Sequence, residues 1–271
     1  MKKDPSKFIE AMKKHTEEIM KKPIVKHDFQ VKNCISHWYP KIEDLVKTPE
    51  TLIINTDFGL YEMYSLIEDN PTEEQIEKFD KLLCGLRVGC NLLGYPAFIK
   101  TGDNSGKHSW KDTCFIENRD TDLKDHILNL VNDSGLKDLC TDVWCVREFI
   151  DTKPAFYAFG GTPITRERRF FINNGIVLTD IPYWPENAIE GHSPSEVDWK
   201  DRLAELSKLK PIDELHLYAE TQKVADVFEG FWSVDWLETA EGGWCLIDMA
   251  LGNMSWGKEN ALPFIDHGDS I

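Results

Sequence analysis

The stretch Phe231-Trp-Ser-Val-Asp235-Trp-Leu-Glu-Thr-Ala-Glu-Gly242-Gly243-Trp-Cys-Leu-Ile-Asp248-Met249 sets two apolar runs on either side of a glycine pair, with one aspartate in each run. Alternation at a period of two reads as paired strands, and the glycines supply the turn between them. Aspartate is depleted in strands, and Asp248 lies between Leu246-Ile247 and Met249-Ala250 with no basic neighbour in sequence to offset its charge. A divalent metal held between one carboxylate from each strand resolves that cost, and metals held in this way commonly carry nucleotide phosphates. The competing reading is a pair of aspartates at exposed strand ends.

Working outward, the chain of 271 residues is 41% apolar, enough for one large domain or two or three interlocked small ones. Seven cysteines, an odd number without paired CxxC spacing, suit small reduced core residues in a cytoplasmic protein. No uncharged run approaches the roughly 20 residues that span a bilayer, so neither secretion nor membrane insertion is expected. A formal charge of -16 disfavours nucleic acid as a partner, since such binding rests on Lys and Arg displacing counterions. The start differs: up to Lys32 there are nine lysines against five acidic residues, which reads as a solvated amphipathic helix before a nucleic-acid arm.

Asp4-Pro5 suits a helix start, with Phe8, Met12, Ile19 and Met20 as a sparse apolar stripe. A stronger start is Asn70-Pro71 with Glu73 three after the cap; Ile76, Phe79, Leu83, Leu86, Cys90 and Leu93 then recur at helical spacing until Gly94. Tyr95 to Ile99 reads as a short strand, Thr101 to Ser109 as a mobile polar loop, Leu123 to Leu130 as a helix and Trp144 to Ile150 as a strand. The uncharged segment Pro154 to Thr165 suggests an ordered connection, and Asn173-Asn174-Gly175 signals a hairpin between flanking strands. Ser193-Pro194-Ser-Glu196 looks like a capping box for a helix burying Trp199, Leu203 and Leu206. Helical, then mixed, then strand-rich order makes the fold class α+β.

Three further segments carry candidate chemistry. Lys100 ends a strand that runs into Thr-Gly-Asp-Asn-Ser105-Gly-Lys107-His, where a cation and glycine backbone could meet a phosphate. It is not a Walker A loop, because Thr101 stands where the leading glycine belongs and His108 replaces the Ser or Thr. A plain solvent loop is an equal reading of that segment alone. Arg147-Glu148 interrupts an apolar strand, as either an adenine-facing hinge or a salt bridge at a sheet edge. Glu167 and Arg169 share one strand face, with Arg168 on the other, so the first two can enter one cleft.

A strand lysine with a polar loop, an Arg-Glu hinge, a Glu-x-Arg strand and two Asp strands across a Gly-Gly turn, in that order, resemble the ATP-grasp superfamily from about Pro96 to Trp256. Within it the chain is similar to the branch containing the cell division cycle 123 family of translation-initiation-factor assembly proteins and related bacterial and phage proteins. That branch has a Trp-Tyr-Pro segment near its start, here His37-Trp38-Tyr39-Pro40. The resemblance implies an ATP-grasp fold in which two α+β subdomains clamp ATP: a helix-rich, substrate-binding region over 1–94, a small subdomain with the phosphate loop over 95–150, and a C-terminal subdomain with the metal site over 151–271. It further implies that Lys100 meets the α/β-phosphates, that Ser105 and Lys107 close over the nucleotide, and that Arg147 and Glu148 line the adenine hinge. Glu167 would lie near the ribose, Arg169 toward the γ-phosphate or an acyl group, and Asp235 with Asp248 would bind magnesium. The family's Asn two residues after the last acidic ligand is replaced here by Ala250, which leaves Asn253 as the substitute. A second phosphate lysine has only Lys47 and Lys81 as candidates.

The activity so implied is an ATP- and magnesium-dependent ligase that activates a carboxylate as an acylphosphate for attack by an amine or thiol, with Arg169 and Lys100 catalytic. The alternative is an ATP-binding assembly factor acting on a protein client without ligation. The carboxylate and amine, whether small molecules or peptides, are not encoded in any motif.

Overall fold

The computed structural model describes residues 27–265 except 68, 69 and 138. The helix expected from Asp4 to Met20 lies outside these residues. Two four-stranded antiparallel sheets face one another across a cleft, and each is backed by helices.

The first sheet has the order β1-β4-β2-β3, from β1 (Thr51–Asn55), β2 (Ala97–Thr101), β3 (Phe115–Ile116) and β4 (Val143–Glu148). Its outer face, with Ile99, Trp144 and Val146, packs beneath α3 (Leu60–Ile67), α4 (Glu73–Leu93) and α5 (Leu123–Leu136) through Met63, Leu86 and Ile127. A Cβ on Gly89 would lie 2.7 Å from Val146 Cγ2, so glycine is what lets α4 lie directly on β4. The start of α4 differs from the expected one. Thr72 is the cap, its hydroxyl accepting from Gln75 N–H at 3.3 Å while Gln75 Oε1 accepts from Thr72 N–H at 2.8 Å. Asn70 and Glu73 lose the role because a threonine with glutamine three residues on closes the same reciprocal box.

The second sheet has the order β10-β9-β7-β8, from β7 (Glu167–Asn173), β8 (Ile176–Pro182), β9 (Phe231–Glu238) and β10 (Trp244–Leu251). Asn174 (φ 46°) and Gly175 (φ 84°) make the expected hairpin turn between β7 and β8. Phe170, Ile172, Val234 and Trp236 bury one face against α8 (Pro211–Ala225), where the Trp236 indole donates to Thr221 Oγ1 at 3.0 Å. Residues 154–165 form the small hairpin β5 (Phe156–Ala158) and β6 (Thr162–Ile164), packed on α6 (Glu186–Ile189) and α7 (Trp199–Leu206).

Two expectations change here. Ser193 is no cap: its backbone is left-handed (φ 49°), α7 begins after Asp198, and Ser195 Oγ instead accepts from Tyr157 N–H at 3.0 Å. Residues before 94 are not a region apart, because β1 pairs with β4 in the first sheet while α1 (Asp28–Asn33) and α2 (Ile35–Trp38) join the second-sheet core through Ile35 and Trp38. Among the described residues, no helix is long and apolar enough to cross a membrane.

Candidate functional site

The cleft between the sheets encloses about 140 Å³ and opens to solvent at its mouth. Its lower wall is the inner face of the first sheet. Lys100 pairs in register with Cys145 and Phe98 with Arg147, so Phe98, Lys100 and Arg147 project together toward the second sheet.

On the opposite wall, Asp235 and Asp248 are direct register partners of β9 and β10, and Arg169 is the partner of Asp235 on β7. A bulge between Leu246 and Asp248 shifts the register so that the two carboxylates meet on one face. Each already has a cation. Arg169 holds both Asp235 oxygens, from Nε at 2.8 Å and Nη2 at 2.7 Å, and stacks its guanidinium 4.8 Å from the Tyr183 ring. Lys100 Nζ donates to Asp248 Oδ1 at 3.2 Å and so bridges the two sheets. Burial opposes the charge on Asp248, but Lys100 and then Arg147 outweigh it and hold the carboxyl below its usual pKa.

Over the cleft lie Lys107, Tyr183 and Trp184. Lys107 Nζ donates to Tyr183 Oη at 2.5 Å and sits 4.8 Å from the Trp184 ring centroid. Burial disfavours its ammonium, yet the Tyr183 oxygen and the Glu167 carboxylate more than reverse this and raise its pKa. Glu167 Oε1 accepts from the Trp184 indole at 2.9 Å, whereas Oε2 is buried without a partner. Burial pushes the Glu167 carboxyl up, against the pull of Lys107.

The segment from Thr101 to Ser109 is pinned by hydrogen bonds. Asn104 Nδ2 donates to Asp133 Oδ2 at 2.7 Å and to Ser134 Oγ at 3.1 Å, and its Oδ1 accepts from Gly106 N–H at 3.2 Å. Thr162 Oγ1 donates to the Lys107 carbonyl at 2.6 Å, tying the loop to the β5–β6 hairpin. Ser105 and Lys107 thereby line the cleft.

No protein-family model matches the sequence, and no curated protein matches it. Solved structures do. C-terminally truncated Cdc123 from Schizosaccharomyces pombe superposes with a TM-score of 0.55 at 14% identity, over 92% of this chain and 96% of that one. The chain has the ATP-grasp fold. D-alanine--D-alanine ligase from Bacillus anthracis, solved with ATP, matches over 92% of this chain and 67% of its own with a TM-score of 0.46 at 12% identity.

In this cleft the structure brings Lys100, Ser105, Lys107, Arg147, Glu148, Glu167, Asp235 and Asp248 to one cavity, with Arg169 behind Asp235. Asn253 is not brought there. It lies exposed in the turn Gly252–Met254, where its carbonyl accepts from Lys258. Lys47 and Lys81 are also absent from the lining: the Lys47 carbonyl accepts from Leu246 N–H at 2.8 Å, and Lys81 pairs with Glu77 at 2.8 Å on an exposed turn of α4. Arg147 and Glu148 do not pair with each other; Glu148 Oε2 accepts from Glu50 N–H at 3.2 Å, and Arg147 turns into the cleft.

The aromatic end of the cleft was not anticipated. Phe98, Trp110 and Phe149 line it, with Trp110 5.7 Å from Phe98 and 6.2 Å from Phe149. Tyr183-Trp184 was missed too, although an aromatic pair directly after the second strand of a hairpin was visible in sequence. Among the described residues there is no group of three or more His, Cys, Asp or Glu fit for a metal. Asp235 and Asp248 are two carboxylates side by side on adjacent strands.

Proposed function

We propose that the cleft binds ATP with Mg2+ and that the protein activates a carboxylate as an acylphosphate for capture by an amine or thiol. The carrying observation is one cleft lined by Lys100 and Lys107, by two aspartates from adjacent strands, and by Glu167, whose Oε2 is buried without a donor. A polyphosphate bearing a hydroxylated sugar supplies acceptors for the lysines and a donor for Glu167.

The donor set fits magnesium. Mg2+ takes one or two protein carboxylates and completes its shell with water and phosphate oxygens, so Asp235 and Asp248 suffice without an Asn at 250. When bound, it would neutralise charge on the transferring phosphoryl group. Lys100 and Lys107 would bind phosphate oxygens, Ser105 and the loop backbone would cover them, and Glu167 would accept from the ribose. Phe98, Trp110 and Phe149 offer an apolar slot for adenine beside the backbone at Glu148. Arg169, behind Asp235 and stacked on Tyr183, would act through Asp235 by fixing the carboxylate that meets the metal. The pinned loop would shield an acylphosphate from water on its side of the cleft.

One observation favours a second reading. Arg169 is held at both oxygens of Asp235, and the fold match to Cdc123 runs over nearly both whole chains; in this reading ATP serves as a clamp that fixes the two sheets for a protein client. Incubation of the full chain with ATP, Mg2+ and a pool of amino acids and peptides separates the two. ADP release with a new amide mass supports ligation. Stoichiometric ATP retention without ADP above background supports the clamp, and no ATP binding at all overturns both.

A further inference from the structure

Arg147 carries more than a hinge. Its residue is only 4% exposed, its Nε donates to Thr51 Oγ1 at 3.1 Å, and its Nη1 donates to the Ile247 carbonyl at 2.5 Å. Nη2 is buried with no partner in a residue that lines the cleft, and among the described residues no carboxylate forms an ion pair with this guanidinium. A buried cation without a paired anion is costly, and a free donor on it invites an anionic ligand.

Its position along the strand selects which anion. Arg147 stands opposite Phe98 while Lys100 stands opposite Cys145, so Arg147 lies two residues nearer the turn at Phe149 and Ile150. At roughly 3.3 Å per residue this offset is about 7 Å, comparable to the reach of a triphosphate. With the base beside that turn, the anion at Arg147 is the one attached to the sugar, and the outer phosphates fall to Lys100 and Lys107.

The Nη1 bond adds a second role. Ile247 is the bulged residue that lets Asp248 face Asp235, and Arg147 holds its carbonyl from across the cleft. We propose that Arg147 is a phosphate-binding residue that takes the α-phosphate of the nucleotide through Nη2 while its Nη1 positions the strand bearing Asp248. The assignment rests on the nucleotide reading above and replaces the adenine-hinge role expected for this residue.

The test is calorimetric titration of the full-length protein and of R147M and R147K with ATP, ADP, AMP and adenosine. Loss of a charge-assisted hydrogen bond should weaken ATP, ADP and AMP by about 10- to 100-fold in R147M and leave adenosine unchanged. R147K, which keeps the charge but not the fork, should fall between and serves if R147M does not fold. Unchanged AMP affinity, or equal losses for AMP and adenosine, would overturn the assignment. If the native protein binds no nucleotide, the functional reading fails separately. Arg147 is then probed with inorganic pyrophosphate: thermal protection lost in R147M and R147K retains it as an anion site, and no protection of the native protein rejects it.

Discussion

Replacing Glu167 by glutamine should move stability and nucleotide affinity in opposite directions. In the unliganded protein Oε1 is satisfied by Trp184, and a glutamine oxygen keeps that bond; Oε2 is a buried charged acceptor without a donor. Leaving such a group unsatisfied costs about 1 to 3 kcal/mol, and the amide that replaces it still lacks an acceptor, so only about 1 kcal/mol should be recovered. For a chain of this size that is a rise in Tm of roughly 2 to 4 °C. The pH dependence has a definite sign. Because the folded pKa of Glu167 is raised from 4.5, the wild type keeps its full stability below that value and loses part of it as pH rises through the folded pKa. The gap between E167Q and wild type should therefore be absent in acid and open toward neutral pH. With nucleotide, the charged acceptor is exchanged for a neutral one, a loss of about 1 to 2 kcal/mol or roughly 5- to 30-fold in ADP affinity. Differential scanning calorimetry across pH and titration with ADP measure both quantities. A lower apo Tm at neutral pH, a gain independent of pH, or unchanged ADP affinity would refute the reasoning.

Other substitutions separate scaffold from site. Arg168 faces away from the cleft and pairs with Asp180, itself bonded by Tyr218 of α8, so R168A should lower Tm by about 10 °C through loss of about 3 to 5 kcal/mol while the folded fraction binds nucleotide normally. Asp248→Asn should weaken binding of Mg-ATP far more than binding of metal-free ATP in paired titrations. Its cost to the apo protein stays near 1 kcal/mol, since the Asp248 side chain is 47% exposed and water screens its bond to Lys100. Because the Asp248 pKa is depressed from 3.8, that contribution is present above this value and disappears as pH falls through the lower folded pKa. Burial pushes the Cys90 and Cys145 thiols up to about 11 and Cys114 to about 12, whereas Cys84 is exposed. A thiol reagent near pH 8 should then react quickly with Cys84 and not with these three, and C84S should remove the fast phase.

Where a residue's role is set by its neighbours in sequence, the chain could be read directly. Alternation around Asp235 and Asp248, the Asn-Gly turn after Asn173 and the helical spacing before Gly94 are local consequences of backbone geometry, and each element forms as expected. Among the elements missed, β1 and α8 lacked a local period. Within β1 only the three residues Leu52 to Ile54 are apolar, too short a run to show a period, and α8 carries apolar residues on both faces, with Ile212 and Leu215 exposed and Leu217 and Val224 buried. Asn253 and the two spare lysines were reached by elimination and lie off the cleft, because residue type alone does not aim a side chain.

By itself the sequence determined the α+β class, the strand pair carrying the two aspartates and the shared face of Glu167 and Arg169, since all three follow from periods of two and 3.6. Only the tertiary structure decided the partners of those charges. Lys100 meets Asp248 across 148 positions of chain, and Arg147 reaches the Ile247 carbonyl across 100. Such pairings arise where two sheets close on each other, and long-range packing, with the low dielectric it creates, chooses which charges are matched and which are left for a ligand.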